Sequence, residues 1–233
     1  LNDSRIKPHQ KIELNAKGTS YTMIYCPSGS FMMEGYVDNS RRQTPIEKPF
    51  LLGETEVTQE LYQVVMGYNP SKFKNPQKPV ESVTWYDALM FCNNLSIIQG
   101  LDQCYDFPKN ANVKINPNAN GYRLPYEKEW EYVAKAGTMN KWAGCNDESM
   151  LGEYAWYEDN SNKQTQRVKT KKPNEWGFYD MSGNVGEWCW DTYMNISDSR
   201  VIRGGSWALP AGGSWNRLAS YLHSAFRGAG CPR

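Results

Sequence analysis

The order of apolar and polar positions divides the chain into a front half of strands and helices and a loop-rich back half. Tyr21 to Tyr25 is dense in aromatic and β-branched residues and predicts a strand. The polar residues 1–20 ahead of it end in Lys17-Gly18-Thr19 and read as an exposed N-terminal arm. Gly29-Ser30-Phe31-Met32-Met33 follows a Pro-Ser-Gly turn signal, Glu34 to Thr44 reads as a polar loop, and Phe50 to Val57 as another strand. Thr58 is placed to cap a helix carrying Leu61, Val64 and Val65, because a threonine oxygen can take one of the unpaired N–H groups of the first turn. A second helix starts near Thr84 and carries Trp85, Ala88, Leu89 and Phe91 through Leu95. Residues 100–121 read as a hairpin-like excursion, and Pro125 to Tyr132 as a third helix with proline and glutamate in its first turn. Beyond it, loops rich in Gly, Asn, Trp and Tyr run to the C-terminus without a repeat or linker. The expectation is an arm over residues 1–20 and one domain over 21–233.

Composition narrows the function classes. The chain has 233 residues, 39% hydrophobic and 22% charged, which suits a folded domain, and its net charge of +1 offers nothing to nucleic acid or an anionic membrane. No apolar run approaches the ~18 residues of a transmembrane segment. None of the six cysteines forms a CxxC pair, so zinc-ribbon and thioredoxin chemistry are excluded; buried thiols and disulfides both remain open. The chain begins at Leu1 rather than Met, so an N-terminal segment is expected to have been removed or left out.

One compositional feature is local. Lys, Glu, Gln and Met fill 49 of the first 207 positions, yet none occurs from Ala208 to Arg233. Against that background the chance of such a stretch is about one in a thousand.

Candidate chemistry is sparse. Only His9 and His223 are present, which excludes HExxH and most histidine metal sites and leaves little for a Ser-His-Asp arrangement. Glu127 and Glu131 lie four apart on one helix face; paired acids can exchange protons, but with Lys128 and Lys135 nearby the expectation is a solvated face. Asp180-Met181-Ser182-Gly183-Asn184-Val185-Gly186-Glu187-Trp188 gathers oxygen donors around sharp turns. It reads either as a hard-cation site or as a turn-rich core in which Asn184 bonds backbone and Trp188 fills the centre.

Five stretches together resemble the sulfatase-modifying-factor family of formylglycine-generating enzymes. They are Gly29–Met33 with Glu54–Tyr62, Pro79–Ala88, Tyr122–Glu131, Asn174–Trp188 and Arg203-Gly204-Gly205-Ser206-Trp207, spread over roughly residues 28–207. The resemblance implies an irregular α+β variant of the C-type lectin fold, with two main helices and short antiparallel strands. It also implies where catalysis should sit: active members carry a copper-binding cysteine pair after the Arg-Gly-Gly-Ser motif. Here those positions are Leu209 and Ser214, which cannot act as thiolates, so no enzymatic activity and no catalytic cofactor are expected. For a structural calcium ion, the resemblance implies Asn184, Val185 and Glu187 as ligands, whereas an acidic ligand of a second, upstream site falls at Lys169.

One branch of this family comprises the variable proteins of diversity-generating retroelements, whose C-terminal repeat is rewritten at adenines so that AAY codons become NNY. NNY cannot encode Lys, Glu, Gln, Met or Trp; residues 208–233 lack the first four, and Trp215 would be an invariant position. By this resemblance the segment is a diversified binding surface built from Leu209, Pro210, Gly212, Gly213, Ser214, Trp215, Asn216, Arg217, Leu218, Ser220, Tyr221, Leu222, His223 and Phe226. Alternation would divide such residues between surface and core. The expected partner is an unidentified protein or other surface ligand. The chain is expected to be a monomer, exported and displayed at the cell surface through a lipid anchor on the missing N-terminal segment. The alternative is a non-variable pseudoenzyme that binds one fixed peptide or protein.

Overall fold

The computed structural model describes residues 6–35, 40–109, 112–196, 199–207, 222, 224 and 226–232. Residues expected to form an arm instead open the fold. Strand β1 (Lys11–Ala16) pairs antiparallel with β2 (Thr19–Cys26) in the register Ala16↔Thr19, around a two-residue loop. Lys17 and Gly18 both have positive φ (48° and 96°), the geometry that suits the right-handed twist of a hairpin. β5 (Phe50–Gly53) joins the other edge of β2, giving the order β1-β2-β5. β3 (Gly29–Glu34) and β4 (Arg41–Ile46) form a ribbon in part of the segment expected to be a polar loop. β4 carries an Arg-Arg-Gln-Thr run with little apolar content, because its outer face meets water.

The three expected helices are present. α1 (Gln59–Met66) is capped by Thr58, whose Oγ1 accepts from Leu61 N, and ends in left-handed Gly67. α2 (Trp85–Ile98) starts with a reciprocal box in which Thr84 and Asp87 satisfy each other's backbone N–H. α3 (Glu127–Lys135) is capped at Tyr126, so Pro125 lies just ahead of the helix rather than in its first turn. Between α2 and α3, β6 (Tyr105–Asp106) and β7 (Lys114–Ile115) form the expected excursion, pinned to α2 by Asn93, whose amide donates to Tyr105 O and accepts from Tyr105 N. A short α4 (Leu151–Tyr154) follows. β8 (Glu187–Thr192), β9 (Arg200–Arg203) and β10 (Gly228–Gly230) then form a sheet in the order β10-β9-β8. Among the described residues the result is an α+β fold of four helices and several small antiparallel sheets.

Buried side chains fall into three clusters. The first holds Ile24, Phe50, Trp130, Val133, Phe178 and Val201 between the β-sheets and α3, and the second packs α1 on α2 through Leu61, Tyr62, Trp85, Leu89 and Phe91. A smaller third cluster places Leu222 among Trp142, Cys145, Leu151 and Ala155. Loops replace ladders over much of the chain, so buried amides act as their pins. Gln59 shows the principle: its Nε2 donates to Phe73 O and Pro79 O while its Oε1 accepts from Asn69 Nδ2 and Asn75 N, using the full bonding capacity of the side chain. All six cysteines are free, five of them buried and Cys231 exposed. Among the described residues no helix is long and apolar enough to cross a membrane.

Candidate functional site

The end of β9 and the start of β10 bracket the segment that the sequence marks as unusual. β9 delivers Arg203 into the core, where it is fully buried. Its Nη2 donates to Glu131, equally buried, its Nη1 donates to Phe226 O at 2.6 Å, and its Nε lies 3.6 Å from Glu127. Arg227 completes the group, with Nε on Glu127 and Nη2 3.4 Å from Glu131 and 2.7 Å from Glu34 O. Glu127 and Glu131 are therefore not a solvated face. The i, i+4 spacing that aligned them on α3 aims both inward at two arginines more than seventy positions away in sequence, and Lys135, buried beside them, pairs with Glu34 at 3.1 Å. Charged groups this deep persist only when paired, and the quartet supplies two cations for two carboxylates.

After Arg203 the chain turns through Gly204 and Gly205 (φ 84° and 74°) into Ser206 and Trp207. Gly183 N donates to Gly204 O at 2.8 Å and Trp207 N donates to Asn184 O at 3.1 Å, so the departing stem rests on the Ser182-Gly183-Asn184 turn. Asn184 is buried with φ 56°. Its Nδ2 donates to Glu56 Oε2 (2.8 Å) and Gln166 O, and its Oδ1 accepts from Gln166 N (2.9 Å). Val185 N donates to the other Glu56 oxygen at 3.0 Å. Trp188 lies at the edge of the second cluster, its indole bonded to Val83 O, while Trp85 and Trp130 are the fully buried tryptophans.

The calcium expectation concerns Asn184, Val185 and Glu187 in this arrangement. The Asn184 carbonyl is occupied by a backbone donor, and its amide is turned toward a carboxylate. Glu187 and Asp180 are pushed up to about 7 and about 6 by burial, and burial with the neighbouring charges of Asp180 and Glu187 raises Glu56 as well. Calcium takes ionised carboxylates and carbonyl oxygens, and in this arrangement Asn184 Oδ1 accepts from Gln166 N while its amide donates to Glu56. Lys169, at the position of the upstream ligand, pairs through Nζ with Glu54 at 2.7 Å and donates its backbone N–H to Asp180. Among the described residues no group of three or more His, Cys, Asp or Glu is placed to hold a metal.

Nor do the buried thiols offer nucleophiles. Burial pushes Cys92 up to about 12 and Cys145 to about 11, and raises Cys26, Cys104 and Cys189 as well, so all five stay protonated at neutral pH. His9 stacks on Trp176 at 4.3 Å with its pKa lowered by burial, in a packing role. A cavity of about 580 Å³ lies between α1, α2 and the β8 approach, lined by Val57, Leu61, Tyr122, Glu187, Trp188 and Trp207 among others. No sequence signal marked it, since its lining comes from eight or more separated stretches.

Of the binding residues expected from the sequence, Leu209, Pro210, Gly212, Gly213, Ser214, Trp215, Asn216, Arg217, Leu218, Ser220, Tyr221 and His223 lie outside the described residues. Leu222 is fully buried in the third cluster, and Phe226 is half-buried with its carbonyl on Arg203. The buried arginine quartet went unread because its partners are distant in sequence.

The fold and site define an α+β scaffold of pinned loops, with an ion-paired core behind its last strands and protonated buried thiols. A model of the sulfatase-modifying factor enzyme 1-like domain matches residues 8–232, and the chain belongs to that family. Treponema denticola variable protein 1 superposes with a TM-score of 0.83 at 36% identity, covering 95% of this chain and 94% of that one. Chaperone protein LppX of Paenibacillus barcinonensis is 38% identical over 197 residues, 71% of this chain and 69% of that protein. The inactive C-alpha-formylglycine-generating enzyme 2 of Mus musculus is 27% identical over 82% of this chain and 57% of its own length. Similarity to a variable protein and to an inactive enzyme fits a non-enzymatic member of the family.

Proposed function

We propose that this protein is a non-enzymatic binding scaffold of irregular lectin type whose C-terminal segment, from Ala208, is a ligand-binding surface diversified by a retroelement. The observation that carries the reading is the loss of Lys, Glu, Gln and Met from residues 208–233, starting directly after Arg203-Gly204-Gly205-Ser206-Trp207. Likeness to a variable protein over nearly the whole chain supports it. So does the chemistry of positions 209 and 214: leucine and serine in place of the expected cysteines leave no soft ligand pair for copper. A rigid frame with one interchangeable segment is how loop variation makes new sites without new folds. The ligand is a protein or other surface molecule met outside the cell, where we place the chain as a lipid-anchored monomer.

Sequencing the locus tests this. It should hold a near-identical copy of the segment's coding repeat, differing only at adenines, beside a reverse transcriptase gene. A locus with neither removes the diversification. The second reading, a pseudoenzyme with one fixed partner, is favoured by the likeness to an inactive formylglycine-generating enzyme and would then stand. Either way, purified protein should consume no oxygen with copper and a cysteine peptide; turnover would overturn both.

A further inference from the structure

We infer that two adjacent loops give this protein a basic face that docks on an anionic lipid surface. Residues 61–80 and 160–174 hold eight of the 26 Lys and Arg and none of the 25 Asp and Glu, which leaves 18 basic against 25 acidic residues for the rest of the chain. The net charge of +1 therefore conceals an uneven distribution. The anionic membrane that whole-chain charge argued against becomes a partner for one side of the molecule.

The fold brings the two stretches together. Val168 N donates to Gln77 O at 3.0 Å and Lys78 Nζ donates to Gln164 Oε1 at 3.0 Å, so the 72–78 loop lies along the 163–172 loop. The start of β1 joins them. Lys11 and Lys169 share the carboxylate of Glu54 and lie 5.9 and 5.3 Å from the centre of the Tyr179 ring. Other rings sit between the cations in the same way: Lys72 and Lys78 lie 5.5 and 5.6 Å from the centre of Phe73, and Lys171 lies 3.9 Å from that of Trp156.

The acids bordering this face are engaged. Glu54 is held by its two lysines and Glu153 by Lys172, Glu60 accepts from the Gln77 amide, and Glu81 accepts from the N–H groups of Lys72 and Phe73. Glu158 and Asp159, both exposed, come just ahead of the second loop in sequence. Lys163 and Arg167 are exposed and make no ion pair among the described residues.

Seven of the eight cations are lysines, compact charges without the planar fork that grips one carboxylate or phosphate in a bidentate fit. They spread over two loops instead of converging in a pocket, which suits a layer of headgroups better than a shaped partner. The first described residues emerge on the same side, with Lys7 exposed and Lys11 on Glu54. A lipid anchor on the segment before them, as proposed above, would hold this face toward the membrane. One acyl chain binds a membrane only marginally, and a basic patch is a second signal that makes the attachment stable. That last step rests on the anchor reading; the basic face itself does not.

The test uses the purified chain without a lipid, sedimented with vesicles of equal parts phosphatidylglycerol and phosphatidylcholine, or of phosphatidylcholine alone. The chain should partition onto the first and not the second, and raising sodium chloride from about 50 to about 500 mM should release most of it. Each basic residue near such a surface is worth about five-fold in binding, so Lys163→Gln/Arg167→Gln should lower partitioning about 10–30-fold. Because both side chains are exposed and unpaired, that variant should melt within about 2 °C of the parent. Lys109→Gln/Lys114→Gln makes the same change of net charge around the β6–β7 excursion and should lower partitioning less than about three-fold. Equal losses in the two double variants, no preference for phosphatidylglycerol, or binding that salt does not weaken would each overturn the inference. Binding to poly-L-glutamate with none to the vesicles would overturn it in favour of an acidic protein partner. A natural protein found without a bound lipid would remove the anchor and leave these results standing, whereas failure on the vesicles would remove the basic face and leave the anchor to its own test.

Discussion

Replacing Arg203 with methionine isolates the energetic centre of the scaffold. The guanidinium is wholly buried and joins three groups: Glu131, Glu127 and Phe226 O. Methionine fills similar volume without charge, so the loss is electrostatic rather than a cavity. Glu131 keeps Glu34 N at 3.0 Å and Arg227 at 3.4 Å, but the quartet then carries two carboxylates against one cation. Breaking a buried pair in this way costs about 3–5 kcal/mol. Against a typical total of about 5–15 kcal/mol, that is a large share of the stability. Urea unfolding at pH 7.5, followed by tryptophan fluorescence, measures it directly as a fall in midpoint at unchanged slope. The double variant Arg203→Met/Glu131→Leu removes the stranded charge along with its partner. It should recover most of the loss, because an apolar pair in place of a buried ion pair is near neutral. A single-variant loss under about 1 kcal/mol, or additive losses in the double variant, would refute the reasoning.

Other consequences follow from the same geometry. Glu187 at about 7 and Asp180 at about 6 lie above their ordinary values, so the folded state binds more protons than the unfolded one between about pH 4 and 7. Stability should therefore fall as pH rises through that window and level off above it. Glu187→Gln should flatten the melting-temperature profile there and raise stability at pH 8 by up to about 3 kcal/mol, with little change at pH 4; an unaltered profile would place the titration elsewhere. Because Asn184 is committed to Glu56 and Gln166, EDTA should leave the melting temperature unchanged, and a fall of several degrees restored by calcium would return the ion to this turn. Gly183→Ala forces a Cβ against Trp156 O at φ 92° and should cost at least about 2–4 kcal/mol by urea unfolding; a cost under about 1 kcal/mol would mean the turn gives way easily.

The parts of the fold written in local chemistry were legible. Thr58 and Thr84 mark helix starts because a cap acts within three residues, and both helices begin where those residues place them. The first strand was legible too, though hidden by its polarity. Ile12, Leu14 and Ala16 face one side of Lys11–Ala16, with charged or amide side chains between them, and Lys17-Gly18 supplies the hairpin turn. β4 had no such signal, because a ribbon wet on its outer face needs little apolar content. Glu127 and Glu131 misled for a different reason. A carboxylate pair on a helix looks the same in sequence whether it meets water or arginines, and the arginines arrive only when β9 and β10 close over α3.

That last contact ties both ends of the segment after Trp207 to one helix. On the binding reading proposed above, a tail open to sequence change must add little to folding, or every new version would threaten the scaffold that carries it. Buried charged contacts stand on either side of it, at Arg203 before it and Arg227 after it, against two glutamates of one helix. Glycines shape both ends, since Gly204 and Gly205 take positive φ at the turn after Arg203 and Gly230 passes too close to Trp188 and Ile202 for a Cβ. The codon restriction fits such an arrangement. Leucine, serine, arginine and glycine are all NNY-encodable, so composition does not set Leu222, Ser224, Arg227 and Gly228, which are buried, ion-paired or paired in the last strand, apart from the rest of the segment.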